Sequence, residues 1–282
     1  MKRVLVSIVF FLSIYSKDIA DLKEYRIRQL NECFNTELKE YVPPQSIQQQ
    51  LDLLFKDRNI KQQLEIVPDP KKYLNQLGFT VIQFKSNEPK DVVVIESNLL
   101  PGYVIKFVRI ITPKSFHRTK RRGIVGPGLL GDRIKNSAKL RAIINEKDLK
   151  YIKVPKKYFY CMDGLALLIA QKADKSKRTI KDLTKEEIQE VLQFAVAAHG
   201  IIDFKKENMV ISADKIWFID TERPEIKNWP EMLKSILPKF KKEVNDKYKN
   251  KIDDWFDEAA AKEEQSLTET TSFYQRLKNL FS

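Results

Sequence analysis

Between residues 79 and 110 the chain carries three strand-like segments in close succession, FTVIQF, VVVIES and GYVIKFVRI, and this run restricts the possible folds more than any other feature. β-Branched and aromatic residues dominate each segment, and the turn-forming SNEPKD separates the first two. A basic stretch with Gly123, Gly126, Gly128 and Gly131 follows and reads as a loop. Ile134, Leu140, Ile143 and Ile144 then mark a helix. YIKVPKKYFYCM and LALLIAQKA read as two further strands, joined by the hairpin dipeptide Asp163-Gly164. Thr184 and Glu187 have the spacing of a capping box and open EEIQEVLQFAVAAHG, in which Ile188, Leu192, Ala195 and Val196 share a face and Gly200 ends the helix. NMVIS and KIWFID form a short strand pair around Ala213-Asp214, and the chain from Trp229 onward is helical and charged. The expected class is α+β: an antiparallel sheet with one helix, then a mostly helical region.

What precedes the strands differs in texture. Lys2 and Arg3 flank the apolar run VLVSIVFFLSIY, whose length suits an export signal and is short for a membrane span. An uncleaved anchor or a buried first helix would also fit. Residues 19–34 and the run IQQQLDLLFKDRNIKQQL have helical spacing and are broken by Pro43-Pro44, Pro68 and Pro70. The expected organisation is a signal at 1–16, a helical extension at 17–70, a sheet-bearing lobe at 71–175 and a helical lobe at 176–282. The expected location is extracytoplasmic, with delivery into another cell as one form of export.

Composition excludes several classes. Cys33 and Cys161 allow one disulfide at most, and two buried free thiols are the favoured reading. With His117 and His199 as the only histidines, a zinc site lacks ligands. The chain carries 51 Lys and Arg against 38 Asp and Glu, and residues 101–180 alone hold 20 against 5. Such a cationic middle attracts polyanions, among them nucleotides, nucleic acid and anionic lipid. Phe116 is the aromatic that residues 114–135 offer, which is too little for base stacking.

Asp203-Phe-Lys-Lys-Glu-Asn208 resembles the D-L-K-P-E-N stretch of a protein-kinase catalytic loop. Its lead-in His199-Gly200-Ile201-Ile202 follows a capped helix, and Asp220 stands twelve positions on at the end of KIWFID. Lys106 in YVIKF resembles the phosphate-pairing Lys of the kinase V-A-I-K strand, and LLIAQKA resembles the strand and hinge that hold an adenine ring. The resemblance covers residues 78–225. It implies a bilobal protein-kinase-like fold with an N-terminal helical extension and a reduced helical C-lobe. It implies ATP and magnesium as cofactors, with Lys106 on the phosphates, Gln171, Lys172 and Ala173 around the base, Asn208 and Asp220 on the metal, and Asp203 orienting or deprotonating the acceptor.

The sequence also departs from that pattern. No G-x-G-x-x-G precedes Lys106, and only Gly102 stands nearby. The helix around Asn136–Ile144 has no Glu where a kinase pairs one with its Lys, and Glu146 comes late. Asp220-Thr221-Glu222 replaces D-F-G, Ile201-Ile202 replaces the H-R pair, and no A-P-E follows. Three functions stay open: a divergent phosphotransferase acting on a protein or small-molecule acceptor, a pseudokinase that binds proteins, and an exported basic protein that binds nucleic acid or lipid. Scarce extracellular ATP suits the first only if the protein is delivered into a cell.

Overall fold

The computed structural model describes residues 39–55, 70–87, 90–110, 127–162, 165–202, 204–221 and 229–280. In chain order the elements are α1 (Gln45–Leu54), α2 (Pro70–Gln76), β1 (Thr80–Asn87), β2 (Lys90–Glu96), β3 (Tyr103–Ile110), α3 (Pro127–Glu146), β4 (Ile152–Lys153), β5 (Lys157–Met162) and β6 (Leu165–Gln171). They continue with α4 (Lys185–Ala197), β7 (Met209–Ile211), β8 (Ile216–Phe218), α5 (Trp229–Glu243), α6 (Asp246–Lys249) and α7 (Ile252–Leu280). The chain forms two compact units, Met1–Ile134 with Lys156–Lys172, and Lys135–Pro155 with Ala173–Ser282.

The first unit is built on a five-stranded sheet of order β1-β2-β3-β6-β5, antiparallel at every pairing. Alternation sends Val93, Ile95, Ile105, Leu167 and Ile169 to one face, where they form a core with Ile47, Leu51 and Phe55 of the α1 region and Leu74 of α2. The spacing of Ile47, Leu51 and Phe55 puts all three on one side of α1, and the Phe55 and Phe79 rings stack with centroids 5.9 Å apart. Each such buried side chain contributes about 1.5–3 kcal/mol. Gly102 takes φ +79° in the β2–β3 turn, a conformation that costs glycine nothing.

The second unit packs around α4. Val191, Leu192, Phe194 and Ala195 on α4 join Ile216 and Phe218 of β8, Leu233 and Leu237 of α5, and Ile252 and Phe256 of α7 in one core. Trp229 is fully buried there, and its indole N–H donates to the Ala195 carbonyl over 2.5 Å. Thr184 and Glu187 form the expected capping box at the start of α4. At the other end Ala198 caps the helix, and His199 and Gly200 both take positive φ.

Two local expectations are corrected. YIKVPKKYFYCM is not one strand: β4 pairs in parallel with β8, β5 joins the five-stranded sheet, and Val154-Pro155 separates them. Pro155 has no N–H to carry a ladder onward. Gly128 and Gly131 belong to α3 rather than to a loop, because Pro127 is pre-set for a first helical turn. Among the described residues no helix is long and apolar enough to cross a membrane. The N-terminal apolar run, Cys33, His117 and Asp163-Gly164 lie outside the described residues. Even so, β5 and β6 pair Met162 with Leu165 across that dipeptide.

Candidate functional site

The β7–β8 hairpin places Asn208 and Asp220 at its open end. Its register pairs Met209 with Phe218, Val210 with Trp217 and Ile211 with Ile216. One step beyond the last pair, the Ile219 N–H donates to the Asn208 carbonyl over 3.0 Å. Asn208 ends the tight turn Lys206–Asn208, so its side chain leaves the chain where β7 starts, and Asp220 follows where β8 stops. Oδ1 of Asp220 is buried. An amide oxygen and a carboxylate are hard oxygen donors of the kind that suits magnesium. Among the described residues no three His, Cys, Asp or Glu side chains cluster as a metal cage.

Asp203 lies outside the described residues. The residues on either side of it, Ile202 and Phe204, are buried in the second unit's core. The Phe204 ring lies 6.2 Å from Phe218 of β8 and 5.2 Å from Phe240 of α5. Phe204 thus ties this loop to the strand that leads to Asp220.

Lys106 sits on β3 opposite Val94 of β2 and Leu168 of β6, half-buried. Ile105 points into the core of the opposite face, as alternation predicts. Cross-strand partners share a face, so Lys106 lies with Leu168 and Phe159, and Val104 lies with Ala170 and Lys157. Leu168, Ala170 and Phe159 are buried on that face. Lys157 is also buried, and nothing in its local sequence marked it.

The expected base-contacting residues are partly committed elsewhere. The Gln171 N–H donates to the Lys156 carbonyl over 2.9 Å, and the Lys172 N–H donates to the Gly102 carbonyl over 2.8 Å. The Lys172 ammonium pairs with Glu96 at 2.8 Å. Lys106, Gln171 and Lys172 belong to the first unit, whereas Ala173, Asn208 and Asp220 belong to the second.

The segment after Ala173 is fastened to the hairpin by side chains that the sequence did not flag. The Ser176 N–H and hydroxyl both donate to the Ile211 carbonyl, over 3.0 and 2.9 Å. The Arg178 guanidinium donates to the Ala213 carbonyl over 2.7 Å and to both oxygens of Glu187 over 2.8 and 2.6 Å. Glu187 is buried, and it also accepts from the Thr184 N–H over 2.8 Å. On the parallel edge, Glu190 of α4 accepts from the Lys150 and Tyr151 N–H groups over 3.0 and 2.7 Å. From α3, Ser137 donates to the Pro155 carbonyl over 2.5 Å and Asn136 donates to the Thr221 carbonyl over 2.9 Å.

The fold is protein-kinase-like: a five-stranded antiparallel sheet whose helix lies in sequence between the third and fourth strands, followed by a capped helix, a D-x-x-x-x-N loop and a strand pair ending in Asp. No family model and no curated protein matches the chain. Solved structures give more. The chain is similar to an aminoglycoside phosphotransferase in a streptomycin–ATP ternary complex, at 11% identity and a TM-score of 0.36, over 73% of this chain and 87% of that one. It is similar to a Cydia pomonella granulovirus kinase at 11% identity and a TM-score of 0.27, over 54% of this chain and 56% of that one. A Mycobacterium tuberculosis protein in complex with erythromycin gives 11% identity and a TM-score of 0.32, over 84% and 74%. At these scores the similarities are noted beside the fold assignment, which stands on the strand order and the helix placement.

Proposed function

We propose that this protein is a divergent kinase-like phosphotransferase that binds ATP with a divalent cation. The observation that supports the reading is the position of Asn208 and Asp220 at the open end of one hairpin, where the Ile219 N–H binds the Asn208 carbonyl. In this reading the Asp220 carboxylate and the Asn208 amide oxygen hold the cation, which when bound neutralises phosphate charge. Lys106 offers its ammonium to a phosphate oxygen from the β3 face that it shares with Leu168 and Phe159. Donor duty toward the base falls to Ala173, since the Gln171 and Lys172 N–H groups are engaged within the sheet. Asp203 orients the acceptor hydroxyl and takes its proton. The acceptor is a protein or small molecule, reached by export into a compartment that supplies ATP.

The test is thermal unfolding with and without ATP and magnesium. At a hundredfold excess over Kd a ligand of the folded state stabilises it by about 2.7 kcal/mol. The wild type shifts with ATP–Mg, Asp220→Ala loses the magnesium-dependent part, and Lys106→Met loses most of the shift. A folded wild-type sample with no shift would falsify the reading.

One observation favours a second reading, a pseudokinase that acts through protein contacts. No G-x-G-x-x-G runs through β1 and β2, where a kinase covers the phosphates with glycine-rich backbone. Nucleotide binding without phosphate transfer to any acceptor, or to water, would select this reading over the first.

A further inference from the structure

Helix α3 ends its contact with the strands in two consecutive side chains. Asn136 donates to the Thr221 carbonyl over 2.9 Å, and Ser137 donates to the Pro155 carbonyl over 2.5 Å. The two carbonyls lie just past the C-terminal ends of β8 and β4, which are adjacent and parallel, with Ile152 opposite Ile216 and Lys153 opposite Trp217. Two consecutive helix positions therefore pin the ends of both strands. The carboxyl ends of neighbouring parallel strands are where α/β proteins gather ligand-binding groups, since backbone and side chains leave the sheet there.

The two pins differ in what they bracket. Pro155 leads to β5, with no candidate site residue beside it. Thr221 follows Asp220 directly. On the other side of Asp220, the Ile219 N–H is bound to the Asn208 carbonyl over 3.0 Å. The carboxylate thus hangs from a backbone held one residue upstream by the hairpin and one residue downstream by the Asn136 amide. Thr221 is fully buried, and the bond that holds its carbonyl is part-buried. A metal-holding carboxylate must be placed to within about 0.5 Å, which calls for such support around it.

We infer that Asn136 is a positioning residue for the Asp220 carboxylate, fixing it for a divalent cation from the helix where kinases place a glutamate. The inference rests on the phosphotransferase reading. Asn136 acts through the backbone of Thr221, and only a donor at its side-chain terminus can do so. The 85-residue separation of the two partners explains why no local pattern revealed it.

The experiment measures ATP binding by calorimetry across a magnesium titration in wild type, Asn136→Ala, Asn136→Asp, Asn136→Gln and Ser137→Ala, together with amide exchange at residues 219–221. Losing such a supporting partner lowers metal affinity about 10- to 100-fold. Asn136→Ala should weaken the magnesium dependence by at least tenfold and leave magnesium-free nucleotide binding within twofold. Asn136→Asp, the same size but with an oxygen facing the carbonyl, should do the same and carries the measurement if the alanine variant fails to fold. Asn136→Gln should restore part of the effect. Ser137→Ala, which cuts the neighbouring pin, should keep wild-type magnesium dependence. Faster exchange at 219–221 in Asn136→Ala but not in Ser137→Ala supports the proposal independently of nucleotide. Wild-type magnesium dependence in Asn136→Ala, or an equal loss in Ser137→Ala, overturns the inference alone. No nucleotide response from folded wild type overturns the phosphotransferase reading and the inference with it.

Discussion

The two sheets of this protein are held by different physics. The five-stranded sheet has strands of six to eight residues, an antiparallel ladder with one register shift between Val81 and Gln83, and an apolar face covered by α1 and α2. Its register follows from alternation, because a one-residue slip would turn Val93, Ile95 and Ile105 out of their core. The β4–β8–β7 sheet has strands of two and three residues. Ladders that short do not specify themselves. Polar side chains from outside the sheet do it instead: Arg178 and Ser176 on the hairpin turn side, Glu190 on the approach to β4, and Asn136 and Ser137 at the strand ends. The candidate metal residues hang from the second kind of sheet. Their placement depends on hydrogen bonds that break one at a time, whereas Lys106 is placed by a core that tolerates small changes.

The sharpest way to break this contrast is Arg178→Met. It leaves the buried Glu187 carboxylate without its guanidinium and frees the Ala213 carbonyl. Removing one partner of a buried ion pair costs about 3–5 kcal/mol. Urea unfolding should show that loss, and adding Glu187→Gln should recover much of it. A loss under about 1 kcal/mol would mean that the small sheet holds without its clamp.

This division also explains what the sequence disclosed. The strands of the large sheet were legible because alternation, β-branched residues and Asp163-Gly164 are local signals. The capping box at Thr184 and Glu187 was legible for the same reason. Lys106 could be assigned to a strand face because period two decides it. The break at Val154-Pro155 was missed, since β4 and β5 join different sheets and the choice depends on distant partners. The start of α3 at Pro127 was hidden by glycines that usually mark loops. The capping box of Thr179 and Asp182 is local and could have been read. Arg178 and Asn136 could not, because they act on carbonyls 35 and 85 positions away, and a carbonyl has no sequence signature.

A smaller effect should come from the staple between α4 and α7. Glu263 of α7 pairs with Lys147 at 2.9 Å and faces His199, at the end of α4, at 3.6 Å. The His199 imidazole, and next the Lys147 ammonium, holds its carboxyl below the ordinary glutamate range, against the opposing pull of burial. A carboxyl with a lowered folded-state pKa contributes stability above its unfolded pKa, and the contribution disappears as pH falls through the folded value. Glu263→Gln should therefore cost on the order of 1 kcal/mol at neutral pH. The difference from wild type should close on acidification below the ordinary carboxylate range. Denaturant midpoints from pH 7 down to pH 3 check this, and a gap that stays constant would assign the cost to packing rather than charge.

The smallest effect belongs to the large sheet, and it sharpens the comparison from the other side. Lys172 and Glu96 form an ion pair at 2.8 Å as close as those in the second unit, but their side chains are 44% and 26% exposed. Water screens such a pair, and ordering two long side chains offsets what attraction remains, so exposed pairs contribute about 0–1 kcal/mol. Lys172→Met should leave stability within about 0.5 kcal/mol, because the backbone bond from its N–H to Gly102 survives the substitution. Ion-pair distance alone would rank this contact with Arg178–Glu187, whereas burial and the number of carbonyls engaged separate them. If Lys172→Met proves as damaging as Arg178→Met, the large sheet is not self-sufficient, and its strand end at Gln171 depends on a polar clamp as the small sheet does.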